Sequence, residues 1–157
     1  MFTSTEEVAD FISEQNIELV DVRFCDVPGV QQHFTIPVSE FLDAALSDGL
    51  MFDGSSVRGF TAIHESDMKL IPDISSAFVD PFRDRKTLVV NFSIVDPFTD
   101  EPFSRAPRQV AAKAEAYLRS TGIADECFIG AEAEFYLFDD VRYQVSPHNT
   151  FFSVDSP

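Results

Sequence analysis

The stretch Ile17-Glu-Leu-Val-Asp-Val-Arg-Phe-Cys-Asp-Val-Pro-Gly-Val-Gln-Gln-His-Phe-Thr-Ile36 decides the fold. Its first half alternates, with Val20, Val22 and Phe24 on one face and Asp21, Arg23 and Cys25 on the other. Its second half alternates again, with Val30, Gln32, Phe34 and Ile36 sharing a face. Successive strand side chains point to opposite sides, so each half reads as a strand with one apolar face. Pro28-Gly29 between them fits the central positions of a type II turn, and the pair forms a hairpin. His33 falls on the polar side of the second strand, where solvent exposure is expected.

The same reading extends outward. Residues 3–16 open the chain with a helix: Thr3 with Glu6, or Ser4 with Glu7, makes a capping box, and Val8, Phe11 and Ile12 form the stripe. After the hairpin, Val38, Leu42, Ala45 and Leu46 stand at helical spacing in a short helix. FDGSSVRGF (52–60) reads as a loop, and MKLIPD (68–73) and KTLVVNFSIV (86–95) as strands. Strand, strand, helix, strands is the pattern of an α+β domain in which a helix packs on a small sheet, the β-grasp arrangement. DPFTDEPFSRAPR (96–108), with three prolines, reads as a linker. Pro107 then begins a helix carrying Val110, Ala114, Tyr117 and Leu118, with Gly122 at its C-terminal cap. CFIGAEAEFYLFDD (127–140) reads as a further strand, followed by the start of a strand pair. The expected division is residues 1–100 and 101–157, the second domain being unfinished.

Composition narrows the function classes. Hydrophobic residues make up 45% of the 157, and 17 are phenylalanine, which is ample for a core. The net charge of −16 argues against a nucleic-acid backbone as ligand. Cys25 and Cys127 have no metal-ligand spacing, and no stretch approaches the length of a membrane span, so a soluble cytoplasmic protein is expected.

Two constellations carry chemistry. Glu132 and Glu134 share a strand face, roughly 6–7 Å apart. Two unpaired carboxylates repel, and burial would cost several kcal/mol each, which hard divalent cations can offset. Two neighbouring magnesium or manganese sites would use such a pair, whereas a half-exposed strand would carry it as solvated charge. Asp53, followed by Gly54 and two hydroxyls, can present a carboxylate and N–H groups to a small ligand; equally, it can be an Asx turn between elements. His64 stands beside Glu65 and Asp67, but three close polar residues do not make a metal site without geometry.

Together these segments resemble the type I (bacterial) glutamine synthetases. FDGSSVRGFTAIHESDMKLIPD (52–73) is similar to that family's N-terminal signature, and GAEAEFYLFDDVRY (130–143) to its G-P-E-x-E-F strand. VDVRFCDVPGVQQHF (20–34) and SRAPRQVAAKAEAYL (104–118) fit in order and spacing. The resemblance implies an N-terminal β-grasp domain followed by the start of a larger α+β catalytic domain. It also implies ATP-dependent ligation of ammonia to glutamate through γ-glutamyl phosphate. Full-length subunits would form a dodecamer of two stacked hexameric rings, with active sites between neighbours. Under that resemblance Glu132 and Glu134 match metal-binding glutamates serving two Mg2+ or Mn2+ ions, with ATP as co-substrate. Asp53 matches the aspartate that helps bind ammonium and accept its proton, and Ser56 the serine beside it. Ala131 departs from the pattern by replacing its proline. At about a third of a family member's length, the chain is expected to be an N-terminal fragment, inactive alone. The alternative is a natural non-catalytic β-grasp module that docks on full-length subunits.

Overall fold

The computed structural model describes residues 2–61 and 66–156. His64 and Glu65 lie outside the described residues. The chain divides into two compact units, residues 1–126 and 127–157.

The first unit is built on a five-stranded sheet. Its strands are β1 (Leu19–Cys25), β2 (Gln31–Pro37), β3 (Leu50–Asp53), β4 (Asp67–Val79) and β5 (Thr87–Val95), in the order β2-β1-β5-β4-β3. β1 and β5 run parallel at the centre, and every other pairing is antiparallel. A central strand meets protein on both sides, and in β5 Thr87, Leu88, Val89 and Val90 are all buried. The expected β1–β2 hairpin forms, with Val22 opposite Phe34. Its turn differs by one residue from the expectation. The Gly29 N–H donates to the Asp26 carbonyl at 3.1 Å, so Val27 and Pro28 are the central pair. Gly29 follows them at φ +93°, a left-handed conformation that a side chain would strain. The buried Asp26 carboxylate accepts from the Val30 N–H at 2.7 Å and from Gln32 Nε2 at 2.8 Å, which locks this loop.

Helix α1 (Thr5–Gln15) covers one face of the sheet through Val8 and Ile12. Ser4 Oγ caps it by accepting from the Glu7 N–H, while Glu7 reaches back to the Thr3 N–H rather than closing a strict box. A second helical stretch, α2 (38–48), winds as a π-turn across Phe41–Ala45. Phe41 and Ala45, four residues apart on one face, are fully buried, and Val38, Leu42 and Leu46 pack at their flanks. Phe41, at the i+3 position of the same stripe, is a fully buried anchor in addition to the residues named from the sequence. Val20, Val22, Phe24, Leu88, Val90, Phe92 and Ile94 complete this core from the sheet.

β4 is longer than the expected 68–73 segment and continues to Val79 past an irregularity between Asp73 and Phe78. Residues 96–108 are held against the sheet. The Phe103 N–H donates to the Ile94 carbonyl, Val95 bridges Pro102, and Ala106 is buried. Helix α3 (Pro107–Thr121) starts with proline in its first turn and ends at Gly122, φ +69°. None of its residues is buried, and Val110 and Tyr117 of the expected stripe are exposed.

The second unit contains a hairpin of β6 (Asp140–Val145) and β7 (Thr150–Asp155), in register from Asp140–Asp155 to Val145–Thr150. The strand expected over 127–140 is not formed. Residues 126–138 make no ladder, and their side chains are exposed. A strand exists through its partners, and the described strands of this unit pair only with each other. The large apolar side chains from Phe128 to Phe138 therefore stand open.

Candidate functional site

Asp53 is the last residue of β3, not part of a loop as expected, and the ladder to β4 fixes its backbone. Beyond it Gly54–Ser56 forms a single 3₁₀ turn, started by the Asp53 side chain. Asp53 Oδ1 accepts from the Ser55 N–H at 2.9 Å and from Ser55 Oγ at 2.6 Å. Ser56 Oγ approaches Oδ2 at 3.4 Å. The Asx-turn reading of this segment is thus correct as local geometry, and it leaves one carboxylate oxygen nearly free. The Ser55 hydroxyl, then its backbone N–H, hold the Asp53 carboxyl below its usual range, so it is ionised at neutral pH.

The turn is pinned from below. Phe52 and Phe60 bracket it, and their rings join Phe24 and Phe103 in one cluster with centroids 5.1–6.5 Å apart. Phe60 is buried. Gly54 is buried too, and its N–H donates to the Ser66 carbonyl at 2.7 Å. A Cβ at this position would stand 2.5 Å from Met68 Cγ and 3.2 Å from the Ser66 carbonyl oxygen, so only glycine lets the turn sit this close to β4. Spacing in the sequence could not show this contact. Nor could it show that Asp67 is the direct cross-strand partner of Asp53. Two like charges opposite one another are unfavourable, and the field there favours a small cation.

Glu132 and Glu134 lie in the other compact unit, in the unpaired stretch 126–138, and both are exposed. Alternation survives at its end, where the Tyr136 and Phe138 rings, two residues apart, stack at 6.1 Å. Carboxylate oxygens are the right donors for a hard divalent ion, but two side chains supply at most four, short of the usual six ligands. Among the described residues no group of three or more histidine, cysteine, aspartate or glutamate side chains is placed to hold a metal. These two carboxylates by themselves are therefore fewer donors than a divalent ion usually takes.

The sequence model for the glutamine synthetase β-grasp domain matches residues 16–97, and that for the glutamine synthetase catalytic domain matches 104–157. This chain belongs to the glutamine synthetase family. It is 58% identical to glutamine synthetase of Frankia alni over 99% of its own length and 33% of the relative's. With glutamine synthetase of Mycolicibacterium smegmatis it shares 58% identity over 98% of the chain and 32% of the relative. The chain spans about a third of the length of these relatives. A cryo-electron microscopy structure of Plasmodium falciparum glutamine synthetase has the same fold, with TM-score 0.75 over 98% of this chain and 30% of that one, at 21% identity. Among the described residues no helix is long and apolar enough to cross a membrane.

Proposed function

We propose that this chain is the N-terminal part of an enzyme that ligates ammonia to L-glutamate, with ATP converted to ADP and phosphate through γ-glutamyl phosphate. The observation that carries the reading is identity of 58%, over nearly every residue of the chain, with proteins named glutamine synthetase. Residues 1–100 act as the β-grasp domain and residues 101–157 begin the catalytic domain. The working assembly is a cytoplasmic dodecamer of two stacked hexameric rings.

Asp53 binds ammonium by charge and accepts a proton from it through Oδ2, the oxygen that Ser55 leaves free. Ser56, within 3.4 Å of that oxygen, adds a second polar contact for the same cation. Ionisation of Asp53 and the adjacent Asp67 favour ammonium over neutral ammonia at this point. Glu132 and Glu134 each contribute to one of two Mg2+ or Mn2+ sites, completed by ligands outside residues 1–157. When bound, such ions neutralise charge in phosphoryl transfer.

The reading is tested by putting residues 1–157 in place of the matching third of the Frankia alni enzyme. The chimera should release phosphate in a manner dependent on ATP, glutamate and ammonium. Asp53→Asn and Glu134→Gln should each reduce that turnover at least about a hundredfold, with assembly unchanged by size. Full turnover in both variants would return the two acids to solvated charge.

A further inference from the structure

We infer that Ser55 is a positioning residue for the ammonium chemistry: its hydroxyl and N–H fix Asp53 Oδ1 so that Oδ2 alone is presented to the cation. This inference rests on the proposed role of Asp53. The matched serine, Ser56, makes the weaker contact. Its hydroxyl lies 3.4 Å from Oδ2, whereas Ser55 makes two bonds to Oδ1, at 2.6 and 2.9 Å. A carboxylate that accepts two bonds at one oxygen loses its freedom to rotate about Cβ–Cγ, and its other oxygen is then aimed by the backbone. Ser55 is only partly exposed, while Asp53 and Ser56 are exposed, so the Asp53 carboxylate stays open to solvent while Ser55 holds one of its oxygens.

The backbone also makes Ser55 well suited to this role. Gly54 is clamped to the Ser66 carbonyl, and Val57 donates to the Gly54 carbonyl at 3.1 Å, so the two serines between them have little backbone latitude and Ser55 holds its bonds from a fixed position. The charged group facing Asp53 across the ladder is Asp67. Burial slightly disfavours the ionised Asp53, and the Ser55 bonds outweigh that effect. Removing the hydroxyl leaves the N–H bond in place, so both the aim and the ionisation of Asp53 should be weakened but not abolished.

The first test is an NMR titration of the Asp53 side-chain carboxyl in the 157-residue chain, with fold verified from the amide spectrum. Its midpoint should move up in Ser55→Ala, return in Ser55→Thr, and move less in Ser56→Ala. An unchanged midpoint in Ser55→Ala, or a larger effect from Ser56→Ala, overturns the inference. The second test uses the chimera with ammonium as the varied substrate. Ser55→Ala should shift the acid limb of kcat/KM to higher pH and raise KM for ammonium while kcat at its plateau is retained. Asp53→Asn measured alongside separates the two claims. If Asp53→Asn is inactive and Ser55→Ala leaves the pH profile unmoved, only the Ser55 inference falls. If Asp53→Asn is fully active, the catalytic reading falls and takes the positioning role with it.

Discussion

His33 Nδ1 lies 2.9 Å from Asp21 Oδ1, and Asp21 has no solvent exposure at all. The same carboxylate accepts from Arg23 Nε at 2.7 Å, Thr35 Oγ1 at 3.1 Å and Arg83 at 3.2 Å. An ionised carboxylate only accepts, so the His33 Nδ1 in this pair carries the proton. Arg23 and Arg83 also meet Asp80, which ties the β1–β2 hairpin to the β4–β5 connection on the face of the sheet away from α1. Burial pushes the Asp21 carboxyl up. The hydrogen bonds from Arg23, His33 and Thr35, with the charge of Arg83, outweigh it and hold the group below its ordinary value.

Asp21→Ala should therefore destabilise the first unit by about 3 kcal/mol, since it strands two arginines that were arranged around one buried charge. Arg23 and Arg83 are partly exposed and can be rehydrated, which keeps the loss at the low end for a buried ion pair. The check is the urea midpoint of the 157-residue chain. A midpoint equal to that of the unmodified protein would mean the network contributes no net stability.

The pH dependence follows with a definite sign. A carboxyl whose folded pKa is depressed stabilises the fold above its unfolded value and loses that contribution as pH falls through the folded value. Stability should thus decline as pH drops below the ordinary aspartate range of about 4. Asp53 and Asp96, also held down by hydrogen bonds, act in the same direction. In Asp21→Asn the acid-side slope of unfolding free energy against pH should be shallower than in the parent.

Gly54→Ala should cost about 1–3 kcal/mol, because the new methyl must displace Met68 or move the turn off β4. A turn displaced in this way would also lose the Asp53–Ser55 geometry. The expected signature is a lowered unfolding midpoint together with an upward shift of the Asp53 titration. A fully stable Gly54→Ala protein with an unmoved Asp53 would show that the contact with Met68 is not needed to set the turn.

Residues 126–138 should exchange their amide hydrogens almost as fast as a free chain, while Val20, Val22 and Val90 at the sheet centre exchange last. In the chimera with the rest of a catalytic domain, the 126–138 segment should gain protection as its N–H and C=O groups find ladder partners. Hydrogen exchange read by mass spectrometry distinguishes the two states. Slow exchange there in the 157-residue chain would mean that the segment has partners within it.

Period and punctuation in the sequence determined much of this protein. Alternation in 19–25 and 31–37 set the hairpin, the Ser4 and Gly122 caps bounded two helices, and the 52–73 and 130–143 motifs identified the family. Those signals are local, because a strand's two-residue period and a helix's capping chemistry are written in neighbouring side chains. What the tertiary structure decided depends on residues far apart in the chain. Alternation places Asp21 on the face opposite Val20 and Val22, and the approach of Arg83, 62 residues away, helps convert its position into a buried ionic centre. Ser55 and Ser56 are indistinguishable as letters. Their difference arises because the β3–β4 ladder and the Gly54–Ser66 contact set the direction of the turn. Glu132 and Glu134 show the converse: their alternation is plain in the sequence, but a strand is made by hydrogen bonds to a neighbour, and no pattern within thirteen residues can supply one.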